Sequence, residues 1–174
     1  MRSRRRPTVV GGAAIGGAII GTTIQWLSRW TLEALFGLQL PIGGAVEGLV
    51  LGATAGLGYA MATGAATEGL ATPRGNRRVG AALLTGILTG IGALGLTLTG
   101  HPLVGGTLHL ISDHVRGAHF TLAPLARLIG EPVFGPVSQA LLGSIEGLFF
   151  GVGVTLGLTH RHSSRTSHKS VTPG

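Results

Sequence analysis

Gly44-Ala45-Val46-Glu47-Gly48-Leu49-Val50-Leu51-Gly52 returns 99 residues later as Gly143-Ser144-Ile145-Glu146-Gly147-Leu148-Phe149-Phe150-Gly151. In both stretches a glycine recurs every fourth residue and a single carboxylate precedes the second glycine. The match runs on through Leu57/Leu156 and Gly58/Gly157. A weaker match at an offset of 69 pairs Val10-Gly11, Ala13, Gly17 and Gly21 with Val79-Gly80, Ala82, Gly86 and Gly90. Together they describe a repeated hairpin: a glycine-rich helix, a connecting segment, then a helix with a glutamate near its start. Two such units in the same orientation imply a pseudo-two-fold axis along a membrane normal.

The surrounding composition points to a membrane. Of 174 residues, 32 are glycine and only 11% are charged, while 44% are hydrophobic. Soluble domains carry roughly 25% charged residues and about 7% glycine. The mean hydropathy of +0.47 is too high for disorder over most of the chain. The glycines keep no three-residue period, which excludes a collagen-like rod. A bilayer crossing takes about 20 mostly apolar residues. Four stretches qualify, at about 8–28, 44–67, 79–100 and 141–160, the last including Glu146. The expected fold is an all-α membrane protein: four glycine-zipper helices from two duplicated hairpins, with interfacial amphipathic helices on the outer side.

The charges are placed as topology determinants. Ten of the thirteen Lys/Arg fall in three clusters: Arg2, Arg4, Arg5 and Arg6; Arg74, Arg77 and Arg78; and Arg161, Arg165 and Lys169. Four spans put all three on one side, and the positive-inside rule makes that side cytoplasmic, both termini included. The net charge of +7 is therefore not a nucleic-acid footprint. The chain divides into a first hairpin unit (1–72), a basic cytoplasmic loop (73–78), a second unit (79–160) and a disordered basic tail (161–174). Residues 1–21 also have the build of a signal peptide, but no A-x-A-like site follows, so a retained anchor is expected.

Residues four apart lie near one helical stripe. Gly44, Gly48, Gly52 and Gly56, then Gly86 and Gly90, then Gly143, Gly147 and Gly151, each leave a groove without side chains. Such grooves let backbones approach where lipid supplies no hydrophobic driving force. This packing style resembles that of glycine-zipper membrane proteins. Glu47 and Glu146 are the candidate ion or polar site, read as equivalent carboxylates in the first turns of their helices, where the dipole favours negative charge.

Trp26 and Trp30 are the expected interfacial anchors. They open a short amphipathic helix within 25–43, with Arg29 and Glu33 spaced to pair. Residues 120–135 repeat the theme with Arg127 and Glu131. His101, His109, His114 and His119 lie near Asp113 in the same outer segment, at spacings that match no zinc signature. With no cysteine, P-loop, G-x-S-x-G or H-E-x-x-H, no enzymatic chemistry, metal or cofactor is expected. The expected function is a non-enzymatic integral membrane subunit or scaffold in a larger assembly. Its partners are the lipid bilayer and other membrane subunits or further copies, not nucleic acid. The competing expectation is a small proton or cation channel or transporter using Glu47 and Glu146.

Overall fold

A computed structural model describes residues 5–37, 42–63, 75–101, 103, 123–132 and 134–160. Among these residues the chain is all helical: α1 (Arg5–Phe36), α2 (Ala45–Thr63), α3 (Asn76–Leu98), α4 (Ala123–Leu128) and α5 (Pro136–Leu158). Four helices are long and apolar enough to cross a membrane, over Pro7–Leu35, Ala45–Thr63, Asn76–Leu98 and Pro136–Leu158. The chain is thus compatible with a multi-pass integral membrane protein. The start of α1, the start of α3 and the end of α5 share one end of the bundle, called here the basic end.

Several helix boundaries correct the sequence reading. No glycine or proline interrupts residues 22–36, so α1 does not stop near 28. The segment expected to form a separate interfacial helix is its continuation. It closes at Gly37, which has a φ of 63° and an amide that donates to Glu33 O at 3.0 Å. Residues 76–78, assigned to a loop, form the first turn of α3. α2 ends at Thr63, and the remainder of its expected span lies outside the described residues. Among the described residues of the second interfacial segment, the helix is the six-residue α4.

α5 starts at Pro136 rather than near 141 because proline at the first helical position lacks only an amide that has no helical partner. Glu131 completes that start. Its carboxylate accepts from the backbone amides of Gly135 (3.2 Å), Val137 (3.1 Å) and Ser138 (2.9 Å), and from the Ser138 hydroxyl (2.5 Å). The carboxylate is thereby committed to α5, in place of the expected pairing with Arg127.

α3 ends as expected near Gly100, whose φ of 83° is easily reached only without a Cβ. There the Gly100 amide donates to Thr97 O at 3.1 Å and the His101 amide to Leu96 O at 3.0 Å. These are the two bonds of a Schellman stop.

The packing is small-inside, large-outside. Among the described residues the buried apolar ones are Ala55, Ala60, Ala81, Ala82, Ala93, Leu96 and Ala126, whereas large side chains such as Ile19, Leu83, Ile91 and Phe149 are exposed. A water-soluble fold buries its large residues; this arrangement suits lipid outside and close backbones inside. Thr85 and Thr89 are completely buried, and their hydroxyls donate to Ala81 O (2.8 Å) and Thr85 O (2.7 Å) of their own helix. Those bonds let hydroxyls enter an apolar core without leaving a donor unpaired.

Candidate functional site

The glycine positions singled out in the sequence line the contacts between helices. A Cβ at Gly48 would stand 3.2 Å from Gly21 Cα, one at Gly52 3.3 Å from Ala14 Cα, and one at Gly56 2.7 Å from Ala13 Cβ. Gly44 faces the Gln25 side chain, whose Nε2 also donates to Ile42 O at 2.7 Å. Across α3 and α5, added Cβ atoms would lie 2.9 Å from Leu148 O at Gly86 and 3.0 Å from Ser144 O at Gly90. At Gly147 and Gly151 they would lie 2.6 Å from Thr89 O and 2.7 Å from Thr85 O, and Gly143 faces Thr97 and Leu103.

The sequence reading missed a third seam, between α2 and α3. There a Cβ at Gly58 would be 2.6 Å from Thr85 Cα, and one at Gly92 2.7 Å from Thr54 Cγ2. Isolated Gly–Thr pairs have no four-residue repeat to reveal them.

The three seams fix relative heights. α3 residues near 90 are level with α2 residues near 55 on one side and with α5 residues near 147 on the other. Glu146 is therefore level with about Thr54, the middle residue of the 19-residue α2. It stands about seven residues, or roughly 10 Å at 1.5 Å per residue, nearer the basic end than Glu47. This corrects the expectation of equivalent carboxylates at equal depth. Because α5 begins five residues earlier than assumed, Glu146 is ten residues in and near mid-helix.

The expected two-fold axis fails for the same reason, and for one more. Such a rotation would carry the α2–α3 contact onto a contact between α5 and α1. α1 instead packs on α2 and makes no comparable contact with α5.

Glu47 has a different occupation. It is the third residue of α2, and its Oε2 accepts the Gly44 amide at 2.5 Å. A glutamate at that position reaching back to the N-cap amide is half of a capping box. Glu47 thus sits in the first turn of α2, whereas Glu146 does not sit in the first turn of α5. Glu146 is half-buried with its Oε2 buried.

At the basic end, Arg78 reaches from α3 to the last turn of α5. Its Nε donates to Thr159 Oγ1 at 2.8 Å and its Nη2 to Leu156 O at 2.9 Å. A cation there satisfies a terminal carbonyl and opposes the negative end of the helix dipole. Trp26 and Trp30, exposed on α1, lie just past Gln25, where α1 begins to extend beyond the start of α2. His109, His114, His119 and Asp113 lie outside the described residues. His101 is half-buried in the Schellman turn.

The Glu131 cap gives a pH prediction. The Ser138 hydroxyl is the largest influence on this carboxyl; against the opposing effect of burial, it and the three amides hold the group below its ordinary range. A depressed value in the folded chain means the stabilisation is present above the ordinary carboxylate range. It is lost as the pH falls through the folded value. Thermal stability in detergent should therefore drop on acidification below about pH 4. Glu131→Gln should remove that portion of the drop, and an unchanged acid profile in the variant would sink the assignment.

Comparison of the chain with family models, with curated proteins and with solved structures gave no match.

Proposed function

We propose that this chain is a non-enzymatic integral membrane subunit, a scaffold of two duplicated glycine-zipper hairpins that assembles with other membrane subunits or with copies of itself. One observation carries the reading. In the first hairpin an added Cβ at Gly17 would be 3.1 Å from Gly52 Cα, and one at Gly21 3.3 Å from Gly48 Cα. Adding 69 to the first partner and 99 to the second gives Gly86–Gly151 and Gly90–Gly147. Those pairs meet at 2.9 and 3.1 Å, measured from Cβ atoms built on α5. The equivalent contacts support the hairpin as the repeated unit, with a shift along the helices rather than a two-fold rotation relating its copies.

Room for neighbours remains. Among the described residues, a Cβ at Gly11, Gly12 or Gly16 on α1, or at Gly153 or Gly157 on α5, would meet nothing within 4 Å. Native mass measurement of the chain extracted in its own lipid tests the assembly. Masses above the single chain's 17.6 kDa are expected; a monomer that conducts ions in liposomes would overturn the scaffold reading. A small channel or transporter is the second reading. It loses Glu47 to the helix cap, and the mid-helix depth of Glu146 favours it.

The basic end, with Arg77 and Arg78 in the first turn of α3, is the cytoplasmic side in this proposal. Cysteines placed at Ser3, Asn76 and Ser167 should resist an impermeant thiol reagent added outside intact cells, and one at Thr107 should react. Labelling at Asn76 would reverse the orientation.

A further inference from the structure

The four long helices begin or end close to one level at the basic end. A Cβ at Gly56 would be 3.2 Å from Val10 Cα; α1 starts five residues before Val10, and α2 ends seven after Gly56. The bond from Arg78 to Leu156 O ties the first turn of α3 to the last turn of α5. Arg5 and Arg6 open α1, and Arg77 and Arg78 are the second and third residues of α3. The segments joined to these helix ends, 1–4, 64–74 and 161–174, hold six more Lys/Arg and a single acidic residue, Glu68.

Among the described residues no carboxylate balances this charge. Glu33, Glu47 and Glu131 belong to the opposite end. Glu146, the described carboxylate nearest to the basic end, is followed by twelve residues of α5, about 18 Å of helix. That is more than twice the roughly 8 Å over which salt screens exposed charges. The Arg78 guanidinium is engaged with Thr159 Oγ1 and Leu156 O. Arg77 is exposed and makes no hydrogen bond or ion pair among the described residues.

The helix starts at the two ends differ in the same sense. α2 and α5 start at the opposite end, where the chain supplies its own anions. Glu47 accepts the Gly44 amide, and Glu131 accepts those of Gly135, Val137 and Ser138. α1 and α3 have no acidic residue in the first turn, and Gly75, before α3, offers no side chain to accept an amide. Their arginines stand at the positive end of a helix dipole, an unfavourable place that an external anion makes favourable.

We propose that the basic end is a docking surface for anionic phospholipid headgroups, with the Arg77 guanidinium receiving a lipid phosphate beside the start of α3. The inference rests on the four long helices being membrane spans, and it holds for either orientation and whether or not the chain assembles. α2 and α3, at 19 and 23 residues, are about 29 and 35 Å long, close to the hydrocarbon thickness of roughly 30 Å. Their ends therefore lie at headgroup level, where every anionic lipid presents a phosphate and the surface potential draws cations. Soluble phosphate has no such enrichment there.

The test is native mass measurement of the full chain, released from mixed micelles holding equal amounts of phosphatidylglycerol and phosphatidylcholine. The wild-type chain should retain phosphatidylglycerol in preference. Arg77→Gln should reduce that retention about fivefold, the usual contribution of one cation near an anionic surface. Arg29→Gln makes the same change of charge at the opposite end and should leave retention unaltered. Inorganic phosphate should not displace the lipid.

The wild-type preference is read without any variant, so it decides the matter even if Arg77→Gln misfolds. Equal retention of the two lipids, equal losses in both variants, or displacement by inorganic phosphate would overturn the lipid surface and leave the spans intact. A changed subunit count with unchanged lipid retention in Arg77→Gln would assign Arg77 to a contact between copies, and would equally overturn it. Release of the wild-type chain from vesicles by alkaline carbonate would instead overturn the membrane placement on which the inference rests.

Discussion

Gly151→Leu should unfold the α3–α5 pair, whereas Gly153→Leu, two residues further along the same helix, should leave it intact. At Gly151 the first side-chain carbon alone would lie 2.6 Å from Thr89 Oγ1, 2.7 Å from Thr85 O and 2.9 Å from Gly86 Cα. Two of the three atoms are backbone and cannot move aside as a side-chain tip can. Thr89 is itself fully buried and bonded to its own helix. The helices must separate, so the cost falls at or above the upper end of overpacking, about 3 kcal/mol. At Gly153 none of the described residues stands within 4 Å, and leucine is the better helix former by about 0.8 kcal/mol. Gly48→Leu should behave like Gly151→Leu in the first hairpin, and Val50→Ile should be nearly silent. Unfolding in mixed micelles, followed by helical circular dichroism, measures all four. Equal tolerance of Gly151→Leu and Gly153→Leu would mean that the α5 stripe does not face α3.

The helices were legible in the sequence because charge is so scarce that each uncharged stretch marks a span. The stop of α3 near Gly100 was legible too, since glycine followed by proline is the ordinary punctuation of a helix end. The two large boundary errors share a cause. Trp26 and Trp30 were read as a membrane boundary and therefore as a helix boundary. Yet tryptophan does not break a helix, and the first breaker after Gly21 is Gly37. At the other end, a span expected to start near 141 leaves Pro136 outside the helix. Pro136 is a first-turn proline, and Glu131, five residues upstream, supplies the cap that a local pattern search does not find.

The candidate site was legible in part. Glycines four apart disclosed the stripes of α2 and α5. Which helix each stripe meets is a tertiary fact that periodicity does not carry. The threonines were passed over because a hydroxyl in an apolar run looks like dilution. In the fold, Thr85 and Thr89 are among the largest fully buried side chains of the described residues, and their small branched side chains fill what glycine leaves open. The likeness of Glu47 and Glu146 in sequence concealed a difference in helix position. One is the third residue of its helix and the other the eleventh, so one caps and the other lies deep.

Arg78 separates two roles that the charge pattern alone merges. As one of a basic cluster it orients the chain, and any cation serves. In the fold it is also a clamp, its guanidinium bridging Thr159 Oγ1 and Leu156 O. Thr159 is buried, and its own hydroxyl donates to Thr155 O at 2.6 Å. Arg78→Ala should cost about 1–2 kcal/mol, taking the usual 1.5–3 kcal/mol for a charged hydrogen bond and discounting it for partial exposure. Arg78→Lys keeps the charge but lacks the planar fork that reaches two acceptors at once. It should preserve orientation in the thiol-labelling assay while losing about half of that stability. Thr159→Val should be less damaging in an Arg78→Ala background than in the wild type, with a coupling of at least about 0.5 kcal/mol. A lysine variant as stable as the wild type, together with a coupling near zero, would reduce Arg78 to a topological charge. It would also leave the contact between α3 and the end of α5 without a polar tie.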